Sequence, residues 1–174
     1  MKLHRSILIF LLISLIFSFI SCSKKSEEEI YSEAKALSDG GEFMEALALF
    51  EELVEDYPDG VYRVESLFQL AAMYDGLNYS EKSIETYKQI ADEFPDHEKR
   101  SKAIFMIGFI YANQVGDLIN AEKYYKQLLS EYPDDELTSS AEFELEFLGK
   151  NPDEIDNLLL KRIEAAEKKK AIKK

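Results

Sequence analysis

From Ile30 onward the apolar positions recur at helical intervals. Ala46, Phe50 and Leu53 form one trio, Ser83, Tyr87 and Ile90 a second, and Ala121, Tyr125 and Leu128 a third. Each steps by four residues and then three, which puts its members on one face of a helix. Upstream of each trio runs another stripe: Ile30, Ala34 and Leu37; then Leu67, Leu70, Ala71 and Tyr74; then Ile104, Ile107, Gly108 and Tyr111. Turn-forming residues separate the two stripes of each pair at Asp39-Gly40-Gly41, Gly76-Leu77-Asn78 and Val115-Gly116-Asp117. No stretch reads as a strand.

Each second stripe ends on an aromatic and a proline, at Tyr57-Pro58, Phe94-Pro95 and Tyr132-Pro133, with successive prolines 37 and 38 residues apart. Proline has no N–H and restricts the residue before it, so it ends the helix there. The Asp that follows each proline is placed to cap the next helix. The repeating unit is therefore helix, tight turn, helix, proline. A fourth pair covers Glu136 to Leu148 and a helix opened by Asn151-Pro152, with Ile155, Leu158, Leu159 and Ile163 behind it.

This grammar resembles the tetratricopeptide repeat. Its positions are filled by Ala34, Leu37, Gly41, Phe43, Ala46, Phe50 and Pro58 in the first repeat and by Leu70, Ala71, Tyr74, Ser83, Tyr87 and Pro95 in the second. Ile107, Gly108, Tyr111, Ala121, Tyr125 and Pro133 fill them in the third, which has one extra residue in its turn. The expected fold is all-α, an α-solenoid of about three such hairpins plus a C-terminal capping helix pair.

The segment before the repeats has a different pattern. Lys2, His4 and Arg5 precede an apolar run from Ile7 to Ile20 broken only by Ser14 and Ser18, which has the form of a secretory leader. The run is shorter than the ~20 residues that span a bilayer comfortably. Cys22, the only cysteine, follows in Phe19-Ile20-Ser21-Cys22, which resembles the lipobox of bacterial lipoproteins. That resemblance implies lipidation of Cys22 and removal of residues 1–21. An ordinary leader with an incidental cysteine, or an uncleaved anchor, are the alternatives. Domain boundaries follow: a leader over 1–21, a flexible tether over 22–29, the solenoid over 30–165 and a frayed basic tail over 166–174.

Composition narrows the chemistry. The formal charge is −13, and losing Lys2 and Arg5 with the leader takes it to −15. A surface this acidic disfavours nucleic acid and anionic head groups. With Cys22 acylated there is no thiol left for a disulfide, so the core must hold by packing. His97 is the only histidine beyond the leader and sits among charged residues just after Pro95, as a solvated helix-start residue does. Nothing resembles a nucleophile with its base, a metal cluster or a phosphate loop, so neither catalysis nor a cofactor is expected.

The repeat resemblance implies a binding groove along the first helix of each hairpin, one step off the core stripe. The groove positions are Tyr31 and Lys35, then Phe68, Ala72 and Asp75, then Phe105, Phe109 and Asn113. A ribbon of aromatics suits an apolar or extended peptide. Alternatively, the fourth helix pair covers Phe105 and Phe109. Relatives that grip a C-terminal carboxylate carry Lys and Asn where this chain has Tyr31, Phe68 and Phe105, with Lys35 alone basic, so that clamp is not expected. Lipobox and repeats together resemble outer-membrane envelope lipoproteins of the BamD family, and the repeats alone resemble the YbgF family linked to Tol-Pal. These resemblances imply a scaffold on the periplasmic side of the outer membrane that binds envelope or β-barrel assembly proteins. The alternative is a structural or self-associating envelope lipoprotein.

Overall fold

The computed structural model describes residues 24–172, with side chains to Lys168. The leader expected over 1–21 and the lipidation site Cys22 lie outside the described residues. Among those described there are eight α-helices and no strand. They are α1 (Glu27–Gly40), α2 (Phe43–Asp56), α3 (Arg63–Gly76), α4 (Ser80–Glu93), α5 (Lys99–Ile110), α6 (Leu118–Glu131), α7 (Thr138–Phe147) and α8 (Pro152–Ile172). α1 packs on α2, α3 on α4 and α5 on α6, and each second helix packs on the first helix of the next pair. α3 and α5 also approach each other directly, which puts the first helices on the inside of the curve.

All nine residues of the second-helix stripes are buried, from Ala46 to Leu128. Small residues stand where the helices come closest. Ala34, Ala46, Ala71 and Ala121 are fully buried, and Ser83 satisfies its hydroxyl by donating to the Ala71 carbonyl at 2.8 Å. At Gly108 the neighbouring helix is nearer still, since a Cβ there would lie 2.9 Å from the Tyr125 ring. The extra residue of the third repeat is absorbed by a π-helical turn over Tyr111–Val115 that continues α5, closed by Gly116 in the left-handed conformation (φ 76°).

Three local expectations differ from what the described residues show. The Asp residues after the prolines do not cap the helices that follow. α3, α5 and α7 begin at Arg63, Lys99 and Thr138, several residues farther on, without a side-chain cap. The chain instead spends those residues on a turn, and Glu27 at the start of α1 accepts from the N–H groups of Val61 (3.1 Å) and Tyr62 (2.6 Å). The stretch 22–29 is also not a tether throughout: α1 starts at Glu27, where Ser26 and Glu29 form a reciprocal capping box. Lys24 pairs with Asp56 at 3.0 Å, and the Tyr57 hydroxyl donates to the Lys25 carbonyl at 2.6 Å. At the other end, the basic segment expected to fray is helical as far as Ile172. Asn151 and Glu154 cap α8 reciprocally, and Arg162 reaches back to Glu146 and over the Phe147 ring.

Candidate binding face

Seven of the eight expected groove positions lie on the first helices α1, α3 and α5, and Asn113 lies in the π turn that continues α5; their states differ. Tyr31 is half-buried, stacked on Tyr62 with centroids 4.5 Å apart and set edge-on to Phe50. Lys35 is tied one turn ahead to Asp39 at 2.7 Å, so its charge is already met. Phe68 is half-buried and lies edge-on to the core ring of Tyr87 at 5.4 Å. Phe105 and Phe109 stack along α5 at 6.4 Å, and Phe105 also leans on Tyr125 at 5.6 Å. Asn113 donates to the Phe109 carbonyl at 2.9 Å, and Ala72 is exposed. Asp75 accepts from the Gln114 amide of the next repeat. Burial, and after it the negative charge of Asp75, push the Tyr87 hydroxyl above its ordinary range.

Three groups at this face were not anticipated. The ammonium groups of Lys99 and Lys102 sit over the Phe68 ring, at 5.5 and 5.1 Å from its centroid. Lys99 is held there by Glu65 at 3.3 Å, whereas Lys102 is exposed. Lys102 had a signal in the sequence, since it precedes Phe105 by three positions and so shares its helical face. Gln114 had none: it lies in the π turn and bonds both Asp75 and Ser80 of the preceding hairpin.

The face is thus a row of half-buried phenylalanines with cations beside Phe68, suited to apolar contact rather than to proton transfer. His97 serves locally, its Nδ1 accepting from the Lys99 N–H at 3.2 Å. Among the described residues no group of three or more His, Cys, Asp or Glu is placed to hold a metal ion, and no helix is long and apolar enough to cross a membrane.

The sequence model of the YfiO family, described as an outer membrane lipoprotein, matches residues 23–151. No curated protein matches the chain in sequence. Solved structures with the same fold include PcrH from Pseudomonas aeruginosa, at 18% identity and a TM-score of 0.58, covering 74% of this chain and 97% of that one. The type III secretion translocator chaperone SycD of Yersinia enterocolitica is 22% identical at a TM-score of 0.55, covering 72% of this chain and 93% of its own. The TPR2AB domain of yeast Sti1, solved in a complex with pHSP90, is also 22% identical at 0.55, over 82% of this chain and 57% of that one. At these identities the likeness establishes the tetratricopeptide-type solenoid.

Proposed function

Because the chain belongs to the YfiO family of outer membrane lipoproteins, we propose that its inner face holds extended segments of other envelope proteins while a lipid on Cys22 keeps it at the outer membrane, facing the periplasm. The chain is a tetratricopeptide-type interaction scaffold. The finer role proposed is in the assembly of outer-membrane proteins, as in BamD relatives. The observation that carries the groove is that Phe68, Phe105 and Phe109 stay half-exposed on successive first helices while every second-helix stripe is buried. Half-exposed aromatics retain apolar area that a ligand can cover. The family match begins at Ser23, directly after the proposed lipidation site, which supports maturation there.

The test is capture of envelope proteins by the full-length protein extracted from membranes, with Phe68→Ala and Phe105→Ala combined. The expected result is near-native helicity with binding weakened at least about thirtyfold, since truncating even one interface aromatic of hot-spot quality costs about 2 kcal/mol. Undiminished capture by the folded variant would move the site off this face. Capture of nothing but further copies of the chain would favour the self-associating alternative.

A further inference from the structure

Two successive junctions between hairpins bring the same pair of positions together. Tyr74 and Tyr111 each stand sixteen residues after a proline, and Glu51 and Lys88 each stand seven before one. At the first junction the Tyr74 hydroxyl donates to the Glu51 carboxylate. Burial first, and then that bond, push the Tyr74 hydroxyl up, so it keeps the proton that it donates. At the second junction an ammonium stands in place of the carboxylate. Lys88 on α4 donates to the Tyr111 hydroxyl at 3.1 Å, so the bond runs the other way. A phenol that accepts still has a proton to give. Among the described residues nothing accepts the one on Tyr111.

Other donors gather round this pair. Tyr124 on α6 is stacked on Tyr111 with centroids 5.8 Å apart, and its hydroxyl also lies close to the half-buried Lys88. Lys123 stands beside the Tyr124 ring, 5.2 Å from its centroid. Neither Lys88 nor Lys123 makes an ion pair among the described residues. Glu85 and Asp92, a turn to either side of Lys88 on α4, are exposed and bond to neither lysine, and Glu122 is taken by Lys126. Donors without an acceptor thus collect at one junction of a chain whose formal charge is −13. The first junction shows what completes them. One carboxylate has two oxygens for the ammonium and the phenol O–H groups, and a single charge to answer Lys88. A phosphate is matched less well, because arginine forks are what clamp it, and Arg63, Arg100 and Arg162 are engaged with Glu93, Glu131 and Glu146. The net charge repels long acidic runs, which leaves an isolated acidic residue as the ligand.

We infer that Lys88, Tyr111 and Tyr124 form a receptor for one acidic side chain, Asp or Glu, of a partner protein, in the place that Glu51 fills beside Tyr74. The site lies between α4, the end of α5 and α6. It shares no residue with the phenylalanine row and does not depend on it.

The test follows the tyrosine ring signals by nuclear magnetic resonance in the full-length, ring-labelled protein held in detergent. The probe is N-acetylglutamate N-methylamide, which carries one side-chain carboxylate. Saturable shifts are expected at Tyr111 and Tyr124, and none with the glutamine analogue. Lys88→Gln and Tyr111→Phe should each weaken binding about tenfold or more, since a hydrogen bond to a charged group is worth that much. Lys88→Glu should lose the response altogether while remaining folded, because it puts the chain's own carboxylate beside Tyr111 as Glu51 stands beside Tyr74. Tyr111→Phe, which removes a single oxygen and leaves Tyr124 to report, covers the case in which a Lys88 variant fails to fold. No shift at these two rings, shifts spread equally over the other tyrosines, or an unchanged response in Lys88→Glu and Tyr111→Phe would overturn the site. Inorganic phosphate that binds more tightly than the glutamate probe would make it a phosphate site. N-acetylleucine that binds more tightly would assign it to a chain terminus, and either result would overturn the inference as well.

Discussion

Arg63 and Arg100 hold equivalent places at the starts of α3 and α5, and each joins three elements. Arg63 donates to the Val54 carbonyl at 2.9 Å and pairs with Glu93 at 2.9 Å. Arg100 donates to the Ala91 carbonyl at 2.7 Å and to the Tyr132 hydroxyl at 2.9 Å, and pairs with Glu131. The guanidinium thus covers an orphan carbonyl in the last turn of the preceding hairpin while reaching forward to the second helix of its own. Arg100→Ala should cost about 1–3 kcal/mol in urea unfolding, and Arg100→Lys should restore little of it, because an ammonium lacks the fork. A melt unchanged in the alanine variant would show that the contacts are incidental. Glu144 on α7 offers a pH-dependent case. Burial raises its carboxyl above the ordinary 4.5, so the folded state binds the proton more tightly than the unfolded one, and stability falls as pH rises from below 4.5 through the folded value. Glu144→Gln should therefore melt slightly higher than wild type at pH 7, with the difference shrinking toward pH 4. A difference independent of pH would contradict the assignment.

At the scale of elements, the hairpins depend on small residues where two helices meet. Ala46 and Ala121 are fully buried, and a Cβ on Gly108 would press on the Tyr125 ring, itself fully buried and without room to yield. Gly108→Ala gains helix propensity worth up to about 1 kcal/mol, but the clash is expected to outweigh it. Ala46→Leu and Ala121→Leu should each destabilise by about 1–3 kcal/mol through overpacking. Thermal melts measure all three. A stabilised Gly108→Ala together with unchanged leucine variants would mean that these helices are not in contact as described. The π turn after α5 is the other feature at this scale. It takes up one added residue without shifting the stripe of α6, and the left-handed Gly116 then returns the chain to helix.

On the scale of the whole molecule, the lipid and the solenoid act together. Lys24 and Lys25 are already packed against the end of α2, so a lipid on Cys22 would hold the body close to the membrane rather than on a long leash. If Cys22 is the lipidation site, Cys22→Ser should leave the precursor unacylated and the protein released from, or mislocalised in, the membrane fraction. Mass spectrometry that finds a free cysteine in mature wild-type protein would end the lipid reading. The far end is less enclosed: α8 leaves Leu160 and Ile163 exposed and is tied to α7 chiefly through Arg162.

The helices, the hairpin order and the buried stripes were legible in the sequence because each depends on spacing within one helix or on a proline at its end. Ala46, Phe50 and Leu53 share a face whatever lies opposite them. The groove positions were assigned to the first helices by the same logic. Their state was decided by stacking, which set Tyr31 against Tyr62, bound Lys35 to Asp39 and brought Lys99 and Lys102 over Phe68. The bridges from Arg63 to Glu93, from Arg100 to Glu131 and from Gln114 to Asp75 join residues 30 to 39 positions apart. No local period encodes such a pairing. The two arginine bridges follow from how the two helices of a hairpin pack, which depends on how closely small residues such as Gly108 let them approach, and the Gln114 bridge from how one hairpin packs on the next.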